Sequence, residues 1–125
     1  MTSWDAAVVV LVKDGKVLGV TKGIDRQDIN LPGGLRDPED ASPLDTATRE
    51  LLEETGYQLL QAKPIASWFS KSGKYVIGFR GTRWTGRLRS SEEGQAAWVS
   101  PRTLLGPGCT HRGLNAGLLG RLAGR

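Results

Sequence analysis

Cysteine occurs once in this chain, at Cys109, and histidine once, at His111. A single thiol closes no internal disulfide, and one cysteine with one histidine falls short of the four ligands that structural zinc takes. Long apolar runs are missing too. The longest extends only from Ala6 to Val12, against the roughly 20 residues of a bilayer-crossing helix. The N-terminus has neither the basic start nor the small-residue cleavage site of a secretory signal, so a cytoplasmic protein with no membrane partner is expected. Runs of basic residues are also absent. The 17 lysines and arginines give a pI near 9.6, yet no RNA- or DNA-binding signature is written among them, and a nucleic-acid partner is not expected.

What is present suits one compact domain spanning 1–125, with 38% hydrophobic and 24% charged residues. Acid is scarce in one half only. Residues 1–62 carry 6 basic and 11 acidic side chains, and residues 63–125 carry 11 and 2, so the halves stand at −5 and +9. Two solvated surfaces would account for this split. So would one cleft in which carboxylates hold a metal and arginines hold a phosphate ester.

Along the chain, Ala6 to Val12 reads as a strand, and the Asp14-Gly15 pair joins it to Val17 to Val20 as a hairpin. The first run does not alternate, which predicts a central strand covered on both faces. Thr21 to Asn30 is polar and irregular, and Leu31-Pro32-Gly33-Gly34 reads as a turn. Ser42, Pro43 and Asp45 are N-cap, first-turn proline and capping-box carboxylate of a helix that Gly56 ends. Its predicted buried face is Leu44, Ala47, Thr48, Leu51, Leu52 and Thr55. Ile65 to Phe69, Tyr75 to Phe79 and Ala96 to Val99 read as strands, and Pro101 to Leu105 as one helical turn. Leu114, Leu118, Leu119 and Leu122 have the spacing of a C-terminal amphipathic helix. The sum is an α/β fold, a mixed sheet with helices on both sides.

Glu50, Glu53 and Glu54 share one helix face near its C-terminus, where they repel one another and the macrodipole opposes them. Only Arg49, four residues before Glu53, offers relief within the helix. Either the patch is a solvated acidic surface or a divalent cation neutralises it. Oxygen ligands without histidine or cysteine favour Mg²⁺ or Mn²⁺ over zinc.

The stretch Arg49-Glu50-Leu51-Leu52-Glu53-Glu54-Thr55-Gly56-Tyr57 resembles the core of the Nudix box, R-E-U-x-E-E-x-G-U with U apolar, at every specified position. Leu31-Pro32-Gly33-Gly34 is similar to the L-P-G-G that opens the box in many Nudix hydrolases. Two departures from G-x5-E-x7-R-E-U-x-E-E-x-G-U stand out: Asp40 replaces the first glutamate, and eight residues rather than seven separate it from Arg49. Asp40 is therefore expected to be dispensable. Glu92-Glu93-Gly94 and Trp98-Val99 resemble the E-E-G...W-V segment of members that act on nucleotides.

The resemblance implies a Nudix-like α/β/α sandwich with a mixed central sheet and a small-molecule nucleotide substrate. It implies hydrolysis of a nucleoside diphosphate linked to another group, with Glu50, Glu53 and Glu54 binding Mg²⁺, for which Mn²⁺ substitutes. Glu53 is the first choice of general base, with Glu92 or Glu93 as its competitor, and Arg49 orients Glu53. Gly33 and Gly34 would admit the phosphates, and Arg80 and Arg83, from the basic set that includes Arg87 and Arg89, would contact them. The expected substrate is a (deoxy)nucleoside triphosphate, including an 8-oxo-dGTP-like form, cleaved to monophosphate and pyrophosphate. ADP-ribose or a nucleoside diphosphate sugar is the alternative substrate, and a non-catalytic nucleotide- or RNA-binding domain the alternative class. A monomer or homodimer is expected.

Overall fold

In the computed structural model, which describes residues 3–22, 25–89, 94–105 and 117–120, the first apolar run breaks at Leu11 into two strands that join different sheets. The first, β1 (Ala6–Val10), pairs in parallel with β7 (Tyr75–Gly86) and antiparallel with β5 (Gly33–Leu35). Strand β6 (Tyr57–Phe69) pairs antiparallel with β7 and completes a mixed sheet in the order β5-β1-β7-β6. The second piece, β2 (Val12–Lys13), turns through Asp14 and Gly15, at φ 52° and 75°, into β3 (Lys16–Lys22). These two left-handed residues are what an Asp-Gly hairpin turn requires. β3 then pairs with β4 (Asp25–Asn30) and β8 (Ala96–Val99) to build an antiparallel second sheet. The hairpin partner of β3 is therefore β2, not the central strand β1.

The helix α1 (Pro43–Thr55) starts and stops where its caps dictate. Ser42 Oγ accepts from Asp45 N at 3.2 Å, and the Asp45 carboxylate accepts from Ala41 N at 3.0 Å. At the other end Gly56, at φ 84°, donates its N–H to the Leu52 carbonyl. The helix lies on one face of the mixed sheet, where Ala47 and Leu51 pack with Ala7, Val9, Leu11, Leu59 and Phe79. Alternation along β1 sends Val10 to the other face, into a second cluster with Val17, Leu31, Ile65, Leu104 and Leu118. β1 is thus covered on both faces, as its continuous apolar run predicts.

Several elements differ from the sequence reading. The segment read as irregular contains β4, and β6 begins at Tyr57 rather than Ile65. Leu44 and Leu52 are 40% and 41% exposed, while Thr46 and Glu54 are buried in their place. The helix is rolled so that Ala47 and Leu51 meet the sheet, while on the neighbouring row Glu50 and Glu54 face β5 and Thr46 meets Asp40 and Trp4. Pro101 to Leu105 is a 3₁₀ turn, as expected. Of the C-terminal helix, residues 117–120 are helical with Leu118 buried, and Leu114 and Leu122 lie outside the described residues.

A triad of half-buried aromatics links the two sheets. Tyr57 from β6, Trp84 from β7 and Trp98 from β8 have ring centroids 5.9 to 6.5 Å apart, within the range of edge and tilted stacking. Trp98 Nε1 donates to Tyr57 Oη at 3.3 Å.

Candidate active site

Strand β5 and helix α1 meet at two glycines and two glutamates. Gly33 N donates to Glu54 Oε1 at 2.8 Å in a buried hydrogen bond. A Cβ on Gly34 would sit 2.5 Å from Glu50 Cδ, and a Cβ on Gly33 would overlap the Ala7 carbonyl oxygen. Both positions therefore need glycine for close approach, one to a carboxylate and the other to the backbone of β1. Glu53, one helix row away, is the outermost of the three glutamates, with its side chain 56% exposed.

Arg49 reaches more partners than its expected role with Glu53 requires. Its Nη1 donates to Glu50 Oε1 at 2.9 Å and to Glu53 Oε2 at 3.4 Å. Its Nη2 donates to Asp40 Oδ2 at 2.9 Å and to the Leu35 carbonyl at 3.0 Å, and its Nε donates to Asp40 Oδ1 at 3.2 Å. The fork on Asp40 is bidentate, the strongest geometry open to a guanidinium and a carboxylate. Asp40 is buried and also accepts from Asp37 N at 2.9 Å and Thr46 Oγ1 at 2.8 Å. The Arg49 hydrogen bonds, helped by those from Asp37 and Thr46 and opposed by burial, hold its carboxyl well below the usual carboxylate range. The same bond to Asp40 holds the Arg49 guanidinium above its ordinary value.

The longer loop thus folds back and delivers Asp40 to Arg49. Being one residue out of register does not leave this carboxylate outside the site, and the reason is the Asp37–Asp40 turn, in which Asp40 N donates to the Asp37 carbonyl. The partners of Asp40 come from two segments, the Asp37–Asp40 turn and α1, and it is the fold of the loop between them, not residue spacing, that brings them together. A polar Thr46 on the same helix row as Glu50 and Glu54 was the one sequence signal of that network.

A cavity of about 240 Å³ opens beside this junction, with Ala6, Val8, Leu31 and Val76 as apolar lining, Gly34 on one side and Lys74 on another. Arg80 and Arg83 do not line it. Strand alternation puts Arg80 on the same face of β7 as Val76, and Arg83 follows the register shifts of the β6–β7 pair. Arg89 lies elsewhere, with its N–H on the Thr55 carbonyl at 2.8 Å and its methylenes against Gly56, at the C-terminal end of α1. Glu92, Glu93, His111 and Cys109 lie outside the described residues.

A helix that turns glutamates toward a double-glycine strand on a mixed sheet is the arrangement of Nudix hydrolases. The NUDIX domain model matches residues 1–114, and the chain belongs to this family of hydrolases, which generally use a divalent metal. No curated protein matches the sequence significantly. Among solved structures, the Escherichia coli ORF135 protein superposes with a TM-score of 0.75 at 22% identity, covering 96% of this chain and 91% of that one. The MutT protein of Bacillus halodurans gives 0.71 at 22% identity over 91% and 78%. A MutT Nudix hydrolase of Burkholderia pseudomallei gives 0.72 at 18% identity over 93% and 98%. At such identities the likeness establishes the fold.

The donor set fits a hard divalent cation: carboxylate oxygens only, on adjacent rows of one helix, with Gly34 leaving the space that the Glu50 carboxylate fills. Among the described residues no three ligating side chains are already gathered around one point. Glu50 is engaged by Arg49 and Glu54 by Gly33, so the exposed Glu53 is the glutamate with most freedom to swing inward.

Proposed function

We propose that the chain is a Mg²⁺-dependent pyrophosphohydrolase of (deoxy)nucleoside triphosphates, an oxidised purine form included, releasing monophosphate and pyrophosphate. The observation that carries this reading is the cavity beside Gly34. Its 240 Å³ falls below the roughly 300 to 1,000 Å³ of pockets that enclose a whole drug-sized ligand. One planar base fits such a space, with the sugar and phosphates outside it. Gly34 of the edge strand β5 lines the cavity and meets the Glu50 carboxylate on the α1 side, so phosphates extending from a base seated there would round that edge toward the glutamates of α1.

In this reading Glu50, Glu53 and Glu54 hold Mg²⁺, with Mn²⁺ as a substitute. The cation supplies charge neutralisation on the bridging and leaving phosphate oxygens. Glu53 accepts the proton as water attacks a bridge phosphorus, with Glu92 or Glu93 as the rival base; one P–O bond forms and the bridging P–O bond breaks. Arg49 orients Glu50 and Glu53, the Gly33 and Gly34 backbone lets the phosphates approach, and Arg80 and Arg83 are the phosphate contacts drawn from β7. A cytoplasmic setting, a monomer or homodimer, and no membrane or nucleic-acid partner belong to the same reading. No helix among the described residues is long and apolar enough to cross a membrane.

The test is a turnover screen with Mg²⁺ against the nucleoside triphosphates, 8-oxo-dGTP, ADP-ribose and nucleoside diphosphate sugars, with products identified by mass. Monophosphate and pyrophosphate from a triphosphate support the assignment. Turnover confined to ADP-ribose or a nucleotide sugar replaces it, and nucleotide binding without any turnover returns the chain to a binding role.

A further inference from the structure

Half-buried Trp4 and fully buried Thr46 connect to the glutamates of the box through an unbroken line of hydrogen bonds. Trp4, just before β1, donates its indole Nε1–H to Thr46 Oγ1 at 2.9 Å. Thr46 is fully buried in the first turns of α1, and its Oγ1 lies 2.8 Å from Asp40 Oδ2. An indole nitrogen only donates, and an ionised carboxylate only accepts. The hydroxyl proton of Thr46 is therefore forced toward Asp40, and the line has one direction: Trp4 to Thr46 to Asp40, where Arg49 also arrives. From Arg49 the line continues to Glu50 and Glu53.

The Trp4 end is anchored. The Arg36 guanidinium carbon stands 4.0 Å over the Trp4 ring, inside the range of a cation–π contact. Asp5, the next residue, donates its N–H to the Tyr75 carbonyl and accepts the Tyr75 N–H on its carboxylate at 2.8 Å, while its carbonyl accepts from Arg36 N. Trp4 is thus held at the end of the mixed sheet where β1 begins, with its indole hydrogen-bonded to the Thr46 hydroxyl that meets Asp40.

We infer that Trp4 and Thr46 are positioning residues of the metal site, setting the rotamers of Glu50 and Glu53 through Asp40 and Arg49. The inference rests on the proposed metal-dependent role of those glutamates. It also gives a physical reason why aspartate suffices where the box has glutamate: the shorter carboxylate is brought to Arg49 by the Asp37–Asp40 turn and clamped by the Thr46 hydroxyl. In a coordinated site, partners of this outlying kind tune affinity because a ligand that must first be ordered binds more weakly.

Three variants test it: Thr46→Val, which keeps the shape and removes the hydroxyl, Thr46→Ser, which restores it, and Trp4→Phe, which keeps the ring under Arg36 and removes the donor. Mn²⁺ binding measured by electron paramagnetic resonance, and protection of the Arg49 Nε–H in ¹⁵N spectra, read the site without substrate. Thr46→Val is expected to weaken Mn²⁺ binding by about threefold or more and to expose the Arg49 Nε–H. Thr46→Ser is expected to return both, and Trp4→Phe to fall between. Turnover should follow with kcat lowered and KM unchanged. Unaltered Mn²⁺ affinity and Nε–H protection in folded Thr46→Val, or in Trp4→Phe should the valine variant fail to fold, overturn the inference alone. Absence of Mn²⁺ binding by the unmodified protein overturns the metal-dependent reading itself, and the inference with it.

Discussion

Glu53 and Glu54 are neighbours in sequence with opposite surroundings, so the same amide substitution should have different consequences. The Glu54 carboxylate is buried and accepts the Gly33 N–H, and Glu54→Gln exchanges a charge-assisted hydrogen bond for a neutral one. That exchange costs about 1 kcal/mol. Glu53 is mostly solvated with one long contact to Arg49, and Glu53→Gln should leave Tm within about a degree of the unmodified protein. Both should lose at least about 10²-fold in turnover if both serve the cation. Thermal melts beside kinetics separate the two effects, and an equal Tm in both variants would contradict the buried Glu54 to Gly33 bond. Asp40 gives a pH prediction. Its folded carboxyl titrates below the ordinary 3.8, chiefly because of the Arg49 hydrogen bonds. A depressed folded value means the stabilisation is fully present above the unfolded value and is lost as pH falls below it. Asp40→Asn should therefore be less stable at neutral pH, and urea titrations of the two proteins should draw together progressively as pH falls below about 4. Parallel curves would show that Asp40 contributes no such linkage.

At the scale of elements, the β5–α1 junction makes a sharper forecast than any single ligand. Gly33→Ala forces a methyl group into the backbone of β1 and should destabilise the fold by about 1 to 3 kcal/mol or more. Gly34→Ala meets only the flexible end of Glu50, so the fold should survive while Glu50 is displaced. Urea midpoints and Mn²⁺ titrations distinguish them: the first variant loses stability, the second metal affinity. An inverted result would mean the glycines serve the turn rather than close approach. Helix α1 was readable to the residue because its signals are local, with Ser42, Pro43 and Gly56 each acting within one turn. The break at Leu11 was not, since nothing in an apolar run says which sheet each half joins. β4 escaped because Asp25 to Asn30 is too polar to alternate, and the start of β6 because bulges and Pro64 disrupt its pattern. The roll of α1 depends on Trp4 and Asp40, contacts across the fold that helical periodicity alone does not contain.

Across the whole molecule, the division of charge into −5 and +9 gives the protein a field as well as contacts. The long strands β6 and β7 with the turn between them carry Lys63, Lys71, Lys74, Arg80 and Arg83, and Lys74 borders the cavity. Long-range attraction for a polyanion fades as the screening length shrinks, to roughly 8 Å near physiological salt. Raising salt from about 50 to 300 mM should increase KM for a triphosphate severalfold with little change in kcat or Tm. A KM indifferent to salt would reduce the basic half to a solvated surface. The edge of the mixed sheet carries a different consequence. Register shifts between Leu59 and Gln61, Gln61 and Ala62, and Pro64 and Ala66 divide β6 into runs of at most four residues in regular pairing. A second chain docking edge to edge would find its hydrogen-bond ladder interrupted every few residues, with Pro64 offering no donor at all. The irregularity that hid this strand from its own sequence pattern also makes it a poor template for fibrils, so crowded or partly unfolded copies are steered away from zipping together along β6.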